Sequence, residues 1–232
     1  MAAKAKVGGV VQKCSPKLLS KIAQIRSLAS NKPGNSQIEL HVKELKKALK
    51  AVPSGEDHAR RQSEIEGEID ATLYMLQHFP TLKMAHGYER IGATGIDQIW
   101  VGNGWKNGCP HPIVIVEAKG GNAALNPEPV YKRRKDDPGC FQMDRNWVAI
   151  DTNRLGNRDP VDYKKQDYRG LSNCMAAGLT EGQPRICGLV IRNGVPYTEE
   201  EYKDHKLPIE PCGMPFENAK SSDLPPVLIK YR

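Results

Sequence analysis

The sequence contains no long hydrophobic run. None of its apolar stretches approaches the roughly 18 residues needed to span a bilayer, and the N-terminus leads into no apolar segment of the signal-peptide type. No internal repeat is visible. These absences exclude a transmembrane protein, a collagen and a coiled-coil rod, and we expect no classical signal peptide.

Cysteine is also too sparse to build the fold. The chain has six cysteines in 232 residues, and no two of them form a C-x-x-C pair. This argues against a disulfide scaffold and against a zinc ribbon. We expect reduced thiols, as in a cytosolic fold.

The composition is that of a globular protein. Hydrophobic residues make up 39% and charged residues 26% of the chain, which is enough for a sizeable core and argues against wholesale disorder. The length predicts one domain, or one domain with an appendage.

Positive charge is concentrated at the N-terminus. The whole chain carries a formal charge of +7, but the first fifty residues hold eleven Lys or Arg and two Glu, which is +9. The remainder has 23 basic and 25 acidic residues, which is −2. Such a basic segment can attract nucleic acid or an acidic protein partner, or it can serve only as a solubilising arm.

Two helices are predicted in this basic segment, over 16–29 and 36–52. The first starts at Ser15-Pro16, an N-cap followed by proline at the first helical position. Pro53-Ser54-Gly55 ends the second. We place a boundary near residue 56, giving a basic helical segment over 1–56 and a main domain over 57–232.

A third helix is predicted over 57–79. Its apolar residues fall within one arc, and Glu68 lies inside that arc, whereas Glu66 and Asp70 point toward solvent. Glu64 lies at the edge of the arc. An ionised carboxylate that faces an apolar core is costly unless something pairs with it, so Glu68 is the most informative acid here. Alternatively, a bend in the helix lets Glu68 reach water.

The segment after this helix predicts a β-hairpin. Residues 96–101 and 113–116 are rich in β-branched side chains, and a loop rich in Gly and Asn joins them. The second strand continues into Glu117-Ala118-Lys119, where Glu117 and Lys119 share one face because side chains alternate along a strand. Asp97 lies near the start of the first strand and is predicted to lie beside Glu117.

This pattern predicts a divalent-metal site. Two carboxylates and a backbone carbonyl are hard oxygen ligands that suit Mg²⁺ or Mn²⁺. An adjacent lysine can hold a water molecule or stabilise developing negative charge. Phosphodiester hydrolysis requires these components.

The rest of the chain supplies further elements. Residues 122–140 read as a loop, a helix is predicted to start near Gly139 and to carry Phe141, Met143 and Trp147, and 186–191 reads as a strand. The tail after Leu207 holds five prolines and is expected to be extended. The alternation of helices and strands predicts an α/β protein. The loop also contains a basic run of four residues, Lys132, Arg133, Arg134 and Lys135.

The motif around these residues resembles that of a known family. Gly95-Ile96-Asp97, followed by Val116-Glu117-Ala118-Lys119-Gly120 and by Gln142-Met143-Asp144-Arg145-Asn146-Trp147, is similar to the motif of the PD-(D/E)xK nucleases. Within that superfamily it looks most like the toxic nuclease domains of bacterial polymorphic toxins. The resemblance covers about residues 57–150, and Ile96 stands where the family often has proline.

The resemblance implies a restriction-endonuclease-like core, a mixed central sheet flanked by helices, in a Mg²⁺-dependent or Mn²⁺-dependent nuclease. Asp97, Glu117 and the Ala118 carbonyl would bind the metal, with Glu68 as a further ligand or as the group that orients a metal-bound water. Lys119 would position the attacking water, and Gln142 would support Lys119 or the phosphate.

The expected substrate is DNA with little sequence specificity, and the basic run 132–135 would contact its phosphates. The resemblance further implies a secreted antibacterial effector that acts in the cytoplasm of a target cell and is neutralised by an immunity protein; otherwise the protein is cytoplasmic. We expect no membrane anchor.

Two other functions remain open. One is an RNase of the same fold that acts on tRNA. The other is a non-catalytic nucleic-acid-binding module, in which Asp97 is a turn residue, Glu117 and Lys119 are an exposed pair, and Gln142 is a surface helix residue. That module would bind without divalent metal.

Overall fold

The protein is described here from a computed structural model that covers residues 15–30, 32, 35–52, 57–89, 95–129, 139–157, 168–211 and 226–231. The helices are α1 Pro16–Ala29, α2 Asn35–Ala51, α3 His58–His78, α4 Arg145–Gly156, α5 Arg169–Glu181 and α6 Glu199–Asp204. The strands are β1 Lys83–His86, β2 Gln98–Lys106, β3 Cys109–Lys119, β4 Ile186–Arg192, β5 Val195–Pro196, β6 Ile209–Pro211 and β7 Val227–Lys230.

These strands form one mostly antiparallel sheet with the order β1-β2-β3-β4-β7-β6, and β5 pairs with β4. Only β3 and β4 run parallel. A parallel pair needs a long crossover connection, and the chain between β3 and β4 contains α4 and α5. The predicted α/β class is confirmed.

The sheet separates two apolar cores. Val114 and Val116 of β3 pack with α1, α2 and α3, whereas Ile113 and Ile115 of the same strand pack with α4 and α5. Side chains alternate between the faces of a strand, so a strand covered on both sides reads as a continuous apolar run. This is why 113–116 is entirely β-branched.

The three N-terminal helices match their predicted ranges to within one residue. Local signals fix them, since Pro16 follows Ser15 at the start of α1 and the apolar positions recur with helical spacing. The predicted boundary near residue 56 lies outside the described residues. No helix among the described residues is long and apolar enough to cross a membrane.

The hairpin is longer than predicted. Both strands continue to a two-residue turn at Asn107 and Gly108, whose φ angles are 53° and 75°. Positive φ at both positions is the geometry of the turns that match strand twist, and Asn-Gly is the preferred pair there. The Gly102-Asn103-Gly104 segment, which reads as a turn, therefore lies within β2.

Three further predictions are wrong. Asp70 does not point to solvent but is buried against α1, where its Oδ1 lies 2.6 Å from Lys21 Nζ. Gln142 is not on a helix, because α4 starts at Arg145 after the N-cap Asp144. The thiols are not all reduced, since Cys109 and Cys174 form a disulfide with their Cα atoms 5.5 Å apart.

The C-terminal region contributes more structure than its sequence suggests. Helix α5 has no counterpart in the predicted elements, and α6 begins at a capping box formed by Thr198 and Glu201. The proline-rich tail supplies β6 and β7, which extend the sheet beyond β4. Pairing of β7 with β4 and of β6 with β7, rather than local propensity, makes these short segments strands.

Candidate active site

The candidate site lies at the C-terminal end of β3. Gln98 is the first residue of β2 and pairs with Val116, so β3 runs on alone beyond that pair on its β2 side. Asp97 occupies this gap, and its Oδ2 accepts a hydrogen bond of 2.8 Å from the Ala118 amide. Asp97 is thereby held beside the Glu117-Ala118-Lys119 segment.

Glu117, Lys119 and Gln142 form a hydrogen-bonded group. Lys119 Nζ lies 2.8 Å from Glu117 Oε1 and 3.0 Å from Gln142 Oε1. Gln142 Nε2 donates to the same Glu117 Oε1. Gln142 Oε1 also accepts from the Asn126 amide at 3.3 Å, which ties the loop after β3 to the site. Both functional groups of Gln142 are therefore used to hold Lys119 against Glu117.

Glu68 reaches the same end of the sheet from the side of α3. It is buried, as its place in the apolar arc predicts, and its Oε2 accepts 2.8 Å from Gln98 Nε2. Gln98 is held in turn by Trp100, whose Nε1 donates to Gln98 Oε1 at 3.0 Å. Glu68 thus has a fixed, buried orientation.

Close packing of α3 on the sheet makes this approach possible. A Cβ atom on Gly67 would lie 2.6 Å from the Gly120 amide nitrogen, and one on Gly120 would lie 1.7 Å from the Ser63 carbonyl oxygen. Neither position tolerates a side chain without movement of the backbone. The two glycines therefore set how near Glu68 comes to the end of β3.

Two carboxyl groups of the site, those of Glu68 and Asp97, have raised pKa values. The pKa of Glu68 is raised to about 8, chiefly by burial. The nearby Glu117 and Glu64 contribute to this rise, and the hydrogen bond from Gln98 opposes it. Burial, Glu117 and Glu68 likewise raise the pKa of Asp97 well above its ordinary value. Both carboxyl groups are therefore favoured in their protonated form, and a bound cation would favour the ionised form.

Lys119 carries its charge securely. Burial alone would lower the pKa of Lys119, but attraction to Glu117 and Asp97 outweighs this and raises the pKa above its ordinary value. Lys119 is therefore protonated at neutral pH and can donate hydrogen bonds. It cannot accept a proton in that state.

The donor set was compared with the needs of Mg²⁺. Among the described residues, no group of three or more His, Cys, Asp and Glu side chains is arranged to hold a metal ion. Mg²⁺ does not require one, because it keeps several waters and binds through one or two carboxylates. Glu117 Oε2 is buried and has no hydrogen-bond partner in the described part of the chain. Glu117 Oε2, Asp97 and the Ala118 carbonyl fit such an ion.

The surroundings of the site include one more cation. Arg192 of β4 pairs in register with Lys119, lies 5.1 Å from the ring centroid of Tyr197, and forms a salt bridge with Glu201. Phe141, next to Gln142, is 44% exposed. The basic run 132–135, predicted to contact phosphates, lies outside the described residues.

Gln98 is a site residue that the sequence reading missed. The available signal was a polar side chain on the inward face of an otherwise apolar strand, directly after Asp97. The contact of Asn126 with Gln142 and the register of Arg192 with Lys119 join segments that no local pattern links.

Comparisons with known protein families, with curated proteins and with solved structures gave no significant match to this chain. The case for its function therefore rests on its own residues and their geometry.

Proposed function

We propose that this protein is a divalent-metal-dependent nuclease of restriction-endonuclease-like fold. The observation that carries the proposal is the meeting of Asp97, Glu117 and Lys119 at the end of β3, with one buried oxygen of Glu117 left without a partner in the described chain. Two chain segments about twenty residues apart contribute these groups. Charged side chains that meet by chance are usually exposed on the surface rather than buried.

The fold assignment within the α/β class belongs to the same proposal. An acid at the start of one central strand, E-x-K at the end of the next, and helices on both faces are what the family resemblance leads us to expect. Glu68 adds the acid from the preceding helix.

Each residue then has a role in hydrolysis. When bound, Mg²⁺ or Mn²⁺ activates water and offsets charge on the phosphate. Asp97, Glu117 and the Ala118 carbonyl would hold this ion. Lys119, which stays protonated, orients the attacking water and donates to the phosphate oxygens as negative charge develops.

Glu68 and Gln142 act on either side of this centre. A carboxyl group whose pKa lies near neutrality is suited to exchange protons with water, and the pKa of Glu68 is about 8. Gln142 keeps Lys119 in place through its side-chain oxygen and Glu117 through its side-chain nitrogen.

We propose DNA as the substrate, cut with little sequence specificity. Some of the positive charge on α1 is paired within the fold, because Lys17 and Lys21 form salt bridges with Glu66 of α3. Lys132, Arg133, Arg134 and Lys135 remain the proposed phosphate contacts.

The proposed biological role is that of a secreted antibacterial toxin with a cognate immunity protein. The Cys109–Cys174 disulfide is compatible with a protein that passes through an oxidising environment, where such bonds form and persist. Expression in cells with and without a neighbouring open reading frame tests this role, since toxicity relieved by that reading frame is the expected result.

The nuclease proposal is tested with purified protein, plasmid DNA and total RNA, each incubated with Mg²⁺ or with EDTA. We expect Mg²⁺-dependent degradation of DNA by the wild type and its loss in both Asp97→Asn and Glu117→Gln. Asp204→Asn changes an exposed carboxylate on α6 and is the matched control, with wild-type activity expected.

Degradation of RNA alone would change the substrate to RNA and keep the site. Full activity in both site variants, or activity in EDTA, would overturn the site. Metal-independent binding without cleavage would favour the binding module instead.

A further inference from the structure

Tyr88 follows β1 and has an unusual side-chain environment. The residue is 6% exposed and packs into the core formed with α1, α2 and α3. Its hydroxyl oxygen is inaccessible to solvent and has no hydrogen-bond partner among the described residues. Buried polar groups in folded proteins are nearly always paired with protein or with ordered water, so this hydroxyl implies a partner outside the protein.

The backbone of Tyr88 is tied to the helix turn that carries Glu68. The Tyr88 amide donates 2.7 Å to His41 Nδ1, and His41 Nε2 lies 2.8 Å from Thr72 Oγ1. Since Nδ1 accepts, the proton of this neutral imidazole is on Nε2, which donates to Thr72. The Thr72 hydroxyl in turn donates 2.8 Å to the Glu68 carbonyl.

The charges around the hydroxyl are mainly negative. Burial raises the pKa of Tyr88 above its ordinary value, the acids Glu64, Glu68 and Asp97 raise it further, and Arg61 opposes them. The phenol therefore stays protonated and acts as a donor. Glu68 and Asp97, two of the proposed site acids, act on it electrostatically, yet it donates a hydrogen bond to neither.

A water molecule would satisfy this hydroxyl. It would accept from the Tyr88 hydroxyl and donate to a carboxylate, which satisfies a buried donor and a buried acceptor at once. Mg²⁺ and Mn²⁺ sites with few protein ligands keep several waters that need such acceptors.

We propose that the Tyr88 hydroxyl is a positioning group, which binds a water molecule shared with Glu68 in the hydration shell of the divalent ion held by Asp97 and Glu117. This inference rests on the proposed nuclease function. It adds a residue, outside the family motif, that orients metal-bound water without touching the metal.

The test is the affinity of the purified protein for Mn²⁺ alone, measured by calorimetry for the wild type and for Tyr88→Phe. We expect the Mn²⁺ dissociation constant to rise by roughly 10-fold to 100-fold, as for other groups that hold the ligands of a metal site. The thermal midpoint without metal should stay the same or rise, because removing an unpaired buried hydroxyl removes no protein hydrogen bond.

Tyr202→Phe is the matched control. Tyr202 is fully buried on the other side of the sheet, and its hydroxyl accepts 2.9 Å from the Val190 amide. Removing this acceptor should lower the thermal midpoint and leave Mn²⁺ affinity unchanged.

Three results would overturn the inference. Unchanged Mn²⁺ affinity in Tyr88→Phe, when Glu117→Gln lowers it, refutes the inference and leaves the nuclease proposal intact. A fall in the metal-free midpoint comparable to that of Tyr202→Phe would mean that the hydroxyl has a structural role. Failure of the wild type to bind Mn²⁺ would refute both proposals together.

Discussion

The two faces of the sheet treat their buried acids differently. On the α4 side, Glu117 is held by Lys119 and by Gln142, so a cation and an amide surround its Oε1. On the α3 side, the one hydrogen bond to the Glu68 carboxylate among the described residues comes from the neutral amide of Gln98, and the pKa of Glu68 is raised to about 8. The acid on the α4 side is paired with a cation, whereas the acid on the α3 side is favoured in its protonated form.

Under the proposed function, this difference would prepare a cation site without a full set of ligands. The Asp97 carboxylate accepts a hydrogen bond from the Ala118 amide. Glu117 and Glu68, one from each face, both contribute to its raised pKa. Like charges brought together by packing cost free energy until a cation binds.

The largest effect on activity is expected at Lys119, on the α4 side of the sheet. Lys119→Ala removes the protonated donor and should lower kcat on plasmid DNA by roughly 10²-fold to 10⁴-fold. The measurement is the initial rate in Mg²⁺. Lys106→Ala, an exposed lysine at the hairpin tip, is the control and should cleave at the wild-type rate. An unchanged rate in Lys119→Ala would remove this residue from the site.

The contact between the faces can be altered at Gly120. Gly120→Ala forces the new Cβ against the Ser63 carbonyl, so α3 must shift away from β3. We expect the free energy of unfolding to fall by about 1–3 kcal/mol in urea denaturation, with lower activity because Glu68 moves as well. Gly170→Ala has no heavy atom within 4 Å of its new Cβ and should be neutral or slightly stabilising. Equal stability of the two variants would contradict the close approach.

The stability of the protein should depend on pH because of the buried acid Glu68 on the α3 side of the sheet. The pKa of Glu68 is raised from 4.5 to about 8, so the folded chain keeps a proton that the unfolded chain loses as pH rises between these values. The free energy of unfolding without metal therefore falls over that window and levels off above it.

Glu68→Gln should remove the part of this slope that comes from Glu68, leaving that of Asp97, and should stabilise the protein at about pH 9 by roughly 1–3 kcal/mol relative to the wild type. Urea denaturation at about pH 5 and about pH 9 in EDTA measures it. Glu66→Gln, on the same helix but partly exposed, should keep the wild-type slope. Parallel pH profiles for Glu68→Gln and the wild type would contradict the raised pKa.

The smallest effect on stability is expected at the contact between α1 and α3, where Asp70 is paired with Lys21. Lys21→Met leaves Asp70 buried beside an apolar side chain and should cost about 1 kcal/mol of stability, measured by thermal unfolding. Lys17→Met removes a pair whose lysine is 72% exposed and should have no measurable effect. A larger loss for Lys17→Met would reverse this ranking.

Local pattern was enough for the N-terminal helices and for part of the site. Helical periodicity placed Glu68 in the core, and strand alternation placed Glu117 and Lys119 on one face. Both inferences use repeats of a few residues, which the backbone geometry fixes directly. The helical prediction was wrong for Asp70. Periodicity shows which face of a helix is polar, but it does not show whether solvent or a neighbouring helix lies against that face.

Gln142 shows where local pattern stops. Its spacing from Trp147 reads as one helix, but Asp144 caps α4 by accepting from the Trp147 amide at 2.7 Å. The helix therefore starts after Gln142, which is left in a turn that lets its side chain reach both Glu117 and Lys119.

The sequence by itself determined the ranges of the three N-terminal helices, the presence of the hairpin and the residues at the end of β3, because short-range geometry and burial patterns specify them. Only the tertiary structure decided which distant groups meet there. The Gly67–Gly120 contact, the His41–Thr72 link to Tyr88 and the pairing of β7 with β4 join segments tens of residues apart. Packing of whole elements produces these contacts, so no local run of residues encodes them.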